Sequence, residues 1–225
     1  MREFLKKIVH IWPWPLTTNE RYDRQTKAIL EKVCARNSVC IDVGCFRGEI
    51  LESMMKYAPD AHHIAFEPIP EHFIFLEERF GKQATIYPYA LGNENKESTF
   101  NHVVSNPTYS GLKQRAYKGE ETINEIIVPV RRLDDIVSIN TPIRVIKIDV
   151  EGGEYGVLKC AENMLKKWHP YIIFEHGLGG ADRYGITPSD VYAFLVDECG
   201  YKLGLMGDYL KNENLSCFTK QEFGK

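Results

Sequence analysis

Residues 38 to 49 read SVCIDVGCFRGE, and the fold follows from how this stretch is parsed. The run 38 to 43 is short and β-branched, the pattern of a buried strand, and it stops at Gly44. Gly44 suits a sharp turn, Gly48 suits the start of a helix close to a ligand, and a helical pattern resumes over 48 to 57. A strand that runs through glycines into a helix is the opening of a βαβ unit.

Downstream the rhythm continues. HHIAFE (62 to 67) reads as a strand, PEHFIFLEERF (70 to 80) as a helix with Pro70 in its first turn, and ATIYPYAL (84 to 91) as a third strand. Residues 92 to 131 then alternate around a polar stretch containing Asn106, Pro107, Gly111 and Gly119, the pattern of antiparallel strands or a lid. RLDDIV leads to the strand IRVIKID (143 to 149), the helix GEYGVLKCAENMLKKW, the strand YIIFE (171 to 175) and a helix from Ser189 to Cys199. YKLGLM and LSCFT close the chain as two further strands. Upstream, Thr18 to Arg36 is helical, and Phe4, Leu5, Ile8, Val9 and Trp12 share one face of an earlier helix that could dock on the domain, another subunit or a membrane surface, docking on protein being the preferred expectation.

The expected fold is therefore α/β: a doubly wound, seven-stranded, mostly parallel sheet with helices on both faces and an N-terminal helical extension. One domain over 1–225 is expected, since single cores grow to about 250 residues. Within it, 1–36 are N-terminal helices, 37–91 a cofactor-binding half, 92–131 an insert and 132–225 an acceptor half. Ligands of such sheets bind beyond the carboxyl ends of the strands, where Asp42, Glu67, Ala90, Asp149 and His176 would lie.

Composition narrows the function. A net charge of -3 with no long Lys/Arg block argues against a nucleic-acid surface. Six scattered cysteines, without C-x-x-C or finger-like spacing, read as reduced thiols of a cytoplasmic protein. The apolar stretch behind Lys6 and Lys7 is cut by Pro13 and Pro15, which argues against a signal peptide, and no transmembrane segment is expected. Homo-oligomerisation stays open.

The glycine turn is D-x-G-x-x-x-G rather than G-x-G-x-x-G, because Phe46 takes the middle place. Asp42 before it and Glu49 after it would repel a pyrophosphate but attract a ligand carrying an ammonium and a sulfonium. Glu67 follows Gly44 by 23 residues, near the ~20 that separate a glycine turn from a ribose-binding acid. A cationic nucleoside without phosphate on a seven-strand sheet points to S-adenosylmethionine.

CIDVGCFRGE, IAFEPIPEHF, YALGNENKES, LDDIV, IKIDVEGGEYGVLKCAENML and PYIIFEHG resemble, in order, the successive motifs of the FkbM-type methyltransferases over about residues 38 to 177. D-V-E-G-x-E is the most distinctive block; Gly153 stands where alanine is commoner, and Cys45, Phe46 and Arg47 depart from the usual turn. The resemblance implies a class I methyltransferase fold, S-adenosylmethionine as cofactor, and O-methylation of saccharides or other small natural products. Expected against the cofactor are Asp42, Gly44, Phe46 and Gly48, then Glu67 and Pro68, then Ala90, Leu91 and Asp149.

Asp149, Glu151 and Glu154 cluster where a strand ends. Such acids can hold a polyol, take its proton or bind a metal, although no metal is expected here. Asp149 is expected between cofactor and acceptor, Glu151 and Glu154 on the acceptor, and His176 as the base. Glu154 is served equally well by the positive end of its own helix, and His176 by backbone bonding in a loop. Two rivals remain at this point: a nicotinamide-dependent sugar dehydrogenase or epimerase, and a catalytically silent binding subunit.

Overall fold

A computed structural model describes residues 17–114, 117, 119–176, 181–211 and 217–224. The apolar N-terminal face (Phe4 to Trp12) and residues 215 and 216 of the expected last strand lie outside the described residues.

Helix α1 (Thr18–Val33) starts at Thr17, whose hydroxyl accepts the Glu20 N–H, and ends where Cys34 turns extended. Strand β1 (Val39–Val43), α2 (Glu49–Tyr57), β2 (His63–Phe66), α3 (Pro70–Phe80) and β3 (Ala84–Tyr87) form the expected βαβαβ. The third strand does not continue to Leu91. Pro88 offers no N–H to a ladder, and β4 (Ala90–Leu91) leaves for another sheet.

There β4 pairs parallel with β6 (Ile123–Arg131), which pairs antiparallel with β5 (Lys96–Val103). The short α4 (Leu133–Ile136) leads to β7 (Ile143–Ile148). The helix expected after it is two helices, α5 (Glu154–Cys160) and α6 (Glu162–Trp168), because the Asp134 carboxylate accepts the N–H groups of Asn163 and Met164 and captures a new helix start. Then come β8 (Tyr171–Phe174), a 3₁₀ turn (Ala181–Tyr184), α7 (Pro188–Tyr192) with a π-helical continuation (Ala193–Glu198), α8 (Met206–Lys211) and α9 (Lys220–Phe223).

The main sheet thus has five parallel strands in the order β3-β2-β1-β7-β8, with a separate three-stranded sheet, instead of seven strands. Residues 201 to 205 do not pair as a strand; Leu203 accepts the Phe218 N–H, and Met206 opens a helix. Gly204 weakens a strand at this point, whereas Met206, Tyr209 and Leu210 gain burial as helical residues in the α1-side core.

Strand alternation divides the core between the two faces. Ile41, Val43, Ile146 and Ile148 face α5, α6 and the α7 region, packing with Leu158, Met164, Leu165 and Phe194. Cys40, Ala65 and Val145 face α1, α2 and α3, packing with Leu30, Leu51, Met54 and Leu76. By the same alternation Asp42, Glu67 and Lys147 project toward the α1 face. The crossover reverses between β1 and β7, so the switch point lies at the carboxyl ends of these two strands.

Candidate active site

At that switch point the described residues enclose a cleft of about 420 Å³. Its backbone frame is the glycine turn. Gly44 has φ +76°, and a Cβ there would overlap the carbonyl oxygen of Asp149, so β1 and β7 can meet this closely only with glycine. The Asp149 N–H donates to Val43 and the Gly44 and Cys45 N–H groups donate to Phe66, which ties the tips of β7, β1 and β2 together.

Asp42 is 1% exposed on β1, with no close hydrogen bond to either carboxylate oxygen among the described residues, the Lys147 ammonium and the Cys45 thiol being its polar neighbours. Parallel register sets Lys147 of β7 beside it, with Nζ 3.7 Å from Asp42 Oδ1 and 3.3 Å from Asp149 Oδ2. Burial pushes the Asp42 carboxyl up, with Lys147 opposing. Burial also works against the Lys147 charge, but Asp42 and then Asp149 outweigh it and hold the ammonium above its ordinary value. One ammonium thus stands between two carboxylates, Asp42 buried and Asp149 nearly half exposed.

Glu67 follows β2 and is 4% exposed. Its Oε2 accepts the Phe46 N–H at 2.8 Å and its Oε1 the Ile69 N–H at 2.9 Å. Burial raises its carboxyl to about 7, against the pull of those two N–H groups. Phe46 reaches this contact in the left-handed region, at φ +51°. Each carboxylate oxygen retains a lone pair for a further donor.

Pro68, Ile69, Ala90 and Leu91 form an apolar wall next to Glu67, and Phe100 and Leu112 contribute from the second sheet and its loop. Glu151, at φ +55°, and Glu175 also line the cleft, with Tyr109 and Tyr184. Lining carboxylates are Asp23, Asp42, Glu49, Glu67, Asp149, Glu151 and Glu175, against the two lysines Lys27 and Lys147. Such a lining favours a cation and opposes a pyrophosphate. Among the described residues, no group of three or more His, Cys, Asp or Glu side chains is placed to hold a metal ion.

The cleft brings together Asp42, Gly44, Phe46, Glu67, Pro68, Ala90, Leu91, Asp149 and Glu151. Three other residues singled out from the sequence lie elsewhere. Gly48, at φ +83°, packs where a Cβ would strike the Phe80 ring, so it serves the contact of α2 with α3. Glu154 is 5% exposed and accepts the Val150 and Gly152 N–H groups, which holds the turn after β7. The His176 ring stacks on Phe223 with centroids 5.4 Å apart, while its neighbour Glu175 reaches the cleft.

Sequence reading passed over two contributions. Lys147 sits in register with Asp42, a cation just ahead of the strand-end carboxylate Asp149, and that placement was the available signal. Asn19, Tyr22, Asp23 and Lys27 line the cleft from α1, a helix that the sequence places only in an N-terminal extension.

The family model for the methyltransferase FkbM domain matches residues 42–203. The comparison with curated proteins returns no match. Similar solved structures include the plantazolicin methyltransferase BpumL in complex with SAH, at 12% identity and a TM-score of 0.39, covering 79% of this chain and 62% of that one. A second BpumL structure, with a pentazolic desmethylPZN analog and SAH, has 13% identity and a TM-score of 0.34, covering 76% of this chain and 48% of that one. A SAM-dependent methyltransferase from Aquifex aeolicus has 11% identity and a TM-score of 0.40, covering 80% of this chain and 81% of that one. The chain thus spans about half to three fifths of the length of the BpumL chains. The family match begins at the buried Asp42, runs through the strand tips that build the cleft and ends at Leu203, well over half of the 225 residues, and the chain belongs to the FkbM methyltransferase family.

Proposed function

We propose that this chain transfers the methyl group of S-adenosylmethionine to a hydroxyl of a small polyol, a saccharide or a related natural product. One observation carries the donor half: seven carboxylates line the cleft against two lysines, with Glu67 fixed by two backbone N–H groups among them. A surplus of carboxylates that Lys147 only partly neutralises favours a cationic ligand. When bound, the donor supplies an electrophilic methyl on a positively charged sulfur.

The chain's residues divide the rest of the task. Glu67, fixed by two backbone N–H groups, receives a vicinal diol with its remaining lone pairs. Pro68, Ala90 and Leu91 offer a flat apolar wall to a base. Asp42 and Asp149, partly neutralised by Lys147, face positive charge without collapsing onto each other.

On the acceptor side Asp149 borders both ligands, and Glu151 receives the proton of the attacking hydroxyl. Glu151 holds a backbone conformation that costs about 1–2 kcal/mol for a non-glycine residue, and such strain is concentrated at functional positions. Phe100 and Leu112 extend the apolar wall of the cleft and help exclude water from the bound donor. The surplus of lining carboxylates weighs against a nicotinamide dinucleotide, and the scattered cysteines support a cytoplasmic setting.

Incubation with S-adenosylmethionine and a panel of monosaccharides and glycosides, read by mass spectrometry, tests the reading. Methylation on oxygen of at least one polyol is expected. Donor turnover with amines alone would overturn the acceptor half.

A further inference from the structure

The α1 wall of the cleft carries chemistry that the donor reading leaves unused. Helix α1 packs on the sheet face toward which Asp42 and Lys147 project, and Asp23 and Lys27 line the same space. They are four residues apart, so they stand one turn above the other on one face of the helix. Neither has a hydrogen bond or an ion-pair partner within 4 Å among the described residues; Lys147, the other lysine of the cleft, is already taken by Asp42 and Asp149. The charges that act on Asp23 are those of Lys27, Lys147, Glu49 and Asp149.

This sets the α1 pair by the tips of β1 and β7, whereas Glu67 stands beyond β2, one to two strands away. Neighbouring strands are about 4.8 Å apart, so the two places are separated by roughly 5–10 Å. A ligand whose ribose rests on Glu67 would extend its other end toward Asp23 and Lys27. An anion and a cation one helical turn apart on the cleft wall match a terminus that carries an ammonium and a carboxylate on one carbon. A plain nucleoside has nothing to offer them.

We propose that Asp23 and Lys27 recognise the amino-acid end of the methyl donor, Lys27 receiving its carboxylate and Asp23 its ammonium. The proposal rests on the reading of the cleft as the donor site. It makes α1 the element that distinguishes the intact donor from nucleoside fragments. Both side chains stand at the cleft mouth, Asp23 exposed and Lys27 half-buried, so their conservative replacement removes no core packing.

Calorimetric titration with two ligands tests it: S-adenosylhomocysteine, and 5′-methylthioadenosine, which shares the nucleoside and thioether but lacks the amino-acid end. Wild type, Lys27→Gln and Asp23→Asn are compared. Each substitution is expected to weaken S-adenosylhomocysteine about tenfold, as loss of a charge-assisted contact should, and to leave 5′-methylthioadenosine unchanged. Unchanged affinity for S-adenosylhomocysteine in both variants overturns the proposal, and so does an equal loss for the two ligands. If wild type binds neither ligand, the donor reading itself fails and takes this proposal with it. If wild type binds both equally, the donor reading stands and the α1 assignment falls.

Discussion

Lys147 Nζ lies 3.7 Å from Oδ1 of Asp42, across the register pair that joins β7 to β1, and the Asp42 side chain is 1% exposed. A cation so placed compensates the charge of a carboxylate buried away from water. Removing one partner of a buried pair leaves the other uncompensated, which typically costs about 3–5 kcal/mol. Lys147→Met is therefore expected to lower the unfolding free energy by about that amount, and Lys147→Met/Asp42→Asn to recover most of it. Urea denaturation of the four proteins of this cycle measures both effects; additive losses would show that the two side chains are not coupled.

Glu67 supplies a pH dependence. Its folded carboxyl titrates at about 7 against an ordinary 4.5, so the folded chain holds a proton that the unfolded chain has lost between those values. The resulting stabilisation is fully present below 4.5 and is lost as pH rises through about 7. Glu67→Gln is expected to flatten that fall in thermal melts between these two pH values. Donor binding runs the opposite way, since a diol is best received by the ionised carboxylate. Affinity for S-adenosylhomocysteine should weaken as pH drops below about 7 in wild type but not in the variant.

The two glycines of the turn separate by role. Gly44→Ala drives a Cβ into the Asp149 carbonyl oxygen in a left-handed conformation and should lower both stability and donor affinity. Gly48→Ala meets the Phe80 ring and should lower stability alone. Melting temperature and calorimetric affinity, measured on both variants, distinguish a ligand-facing glycine from a packing one.

The acceptor side yields a kinetic contrast. Glu151→Gln is expected to lower kcat by about 10²–10⁴-fold with little change in donor affinity, as removal of a positioned base does. His176→Ala, losing a ring stacked on Phe223, is expected to leave kcat within a small factor of wild type. The reverse ranking in single-turnover assays would return the base to His176.

The order of strands and helices up to Tyr87 was readable because buried parallel strands announce themselves as short β-branched runs ended by glycine or proline. The strand end carrying Asp42 and Glu67 was readable for the same reason. What escaped depended on the third dimension. Pro88 was visible, but that the chain would then change sheets depends on β6, which lies more than thirty residues further on. The 201 to 206 segment alternates like a strand, yet 201 to 205 stay irregular and a helix begins only at Met206, which packs in the α1-side core. Lys147 was hidden inside a motif whose carboxylates attracted the argument, although its register with Asp42 follows once β7 is placed beside β1. Glu154 and His176 carry residue types that fit catalysis, and tertiary contacts direct one into a turn and the other onto Phe223.

Titration of S-adenosylhomocysteine into the intact wild-type chain and into Glu67→Ala, by calorimetry, tests the central claim most directly. Saturable binding at one site in wild type, much weakened in the variant, is the expected result. Absence of binding by folded wild-type protein, or equal affinity in the two proteins, would contradict the assignment of this cleft to the methyl donor.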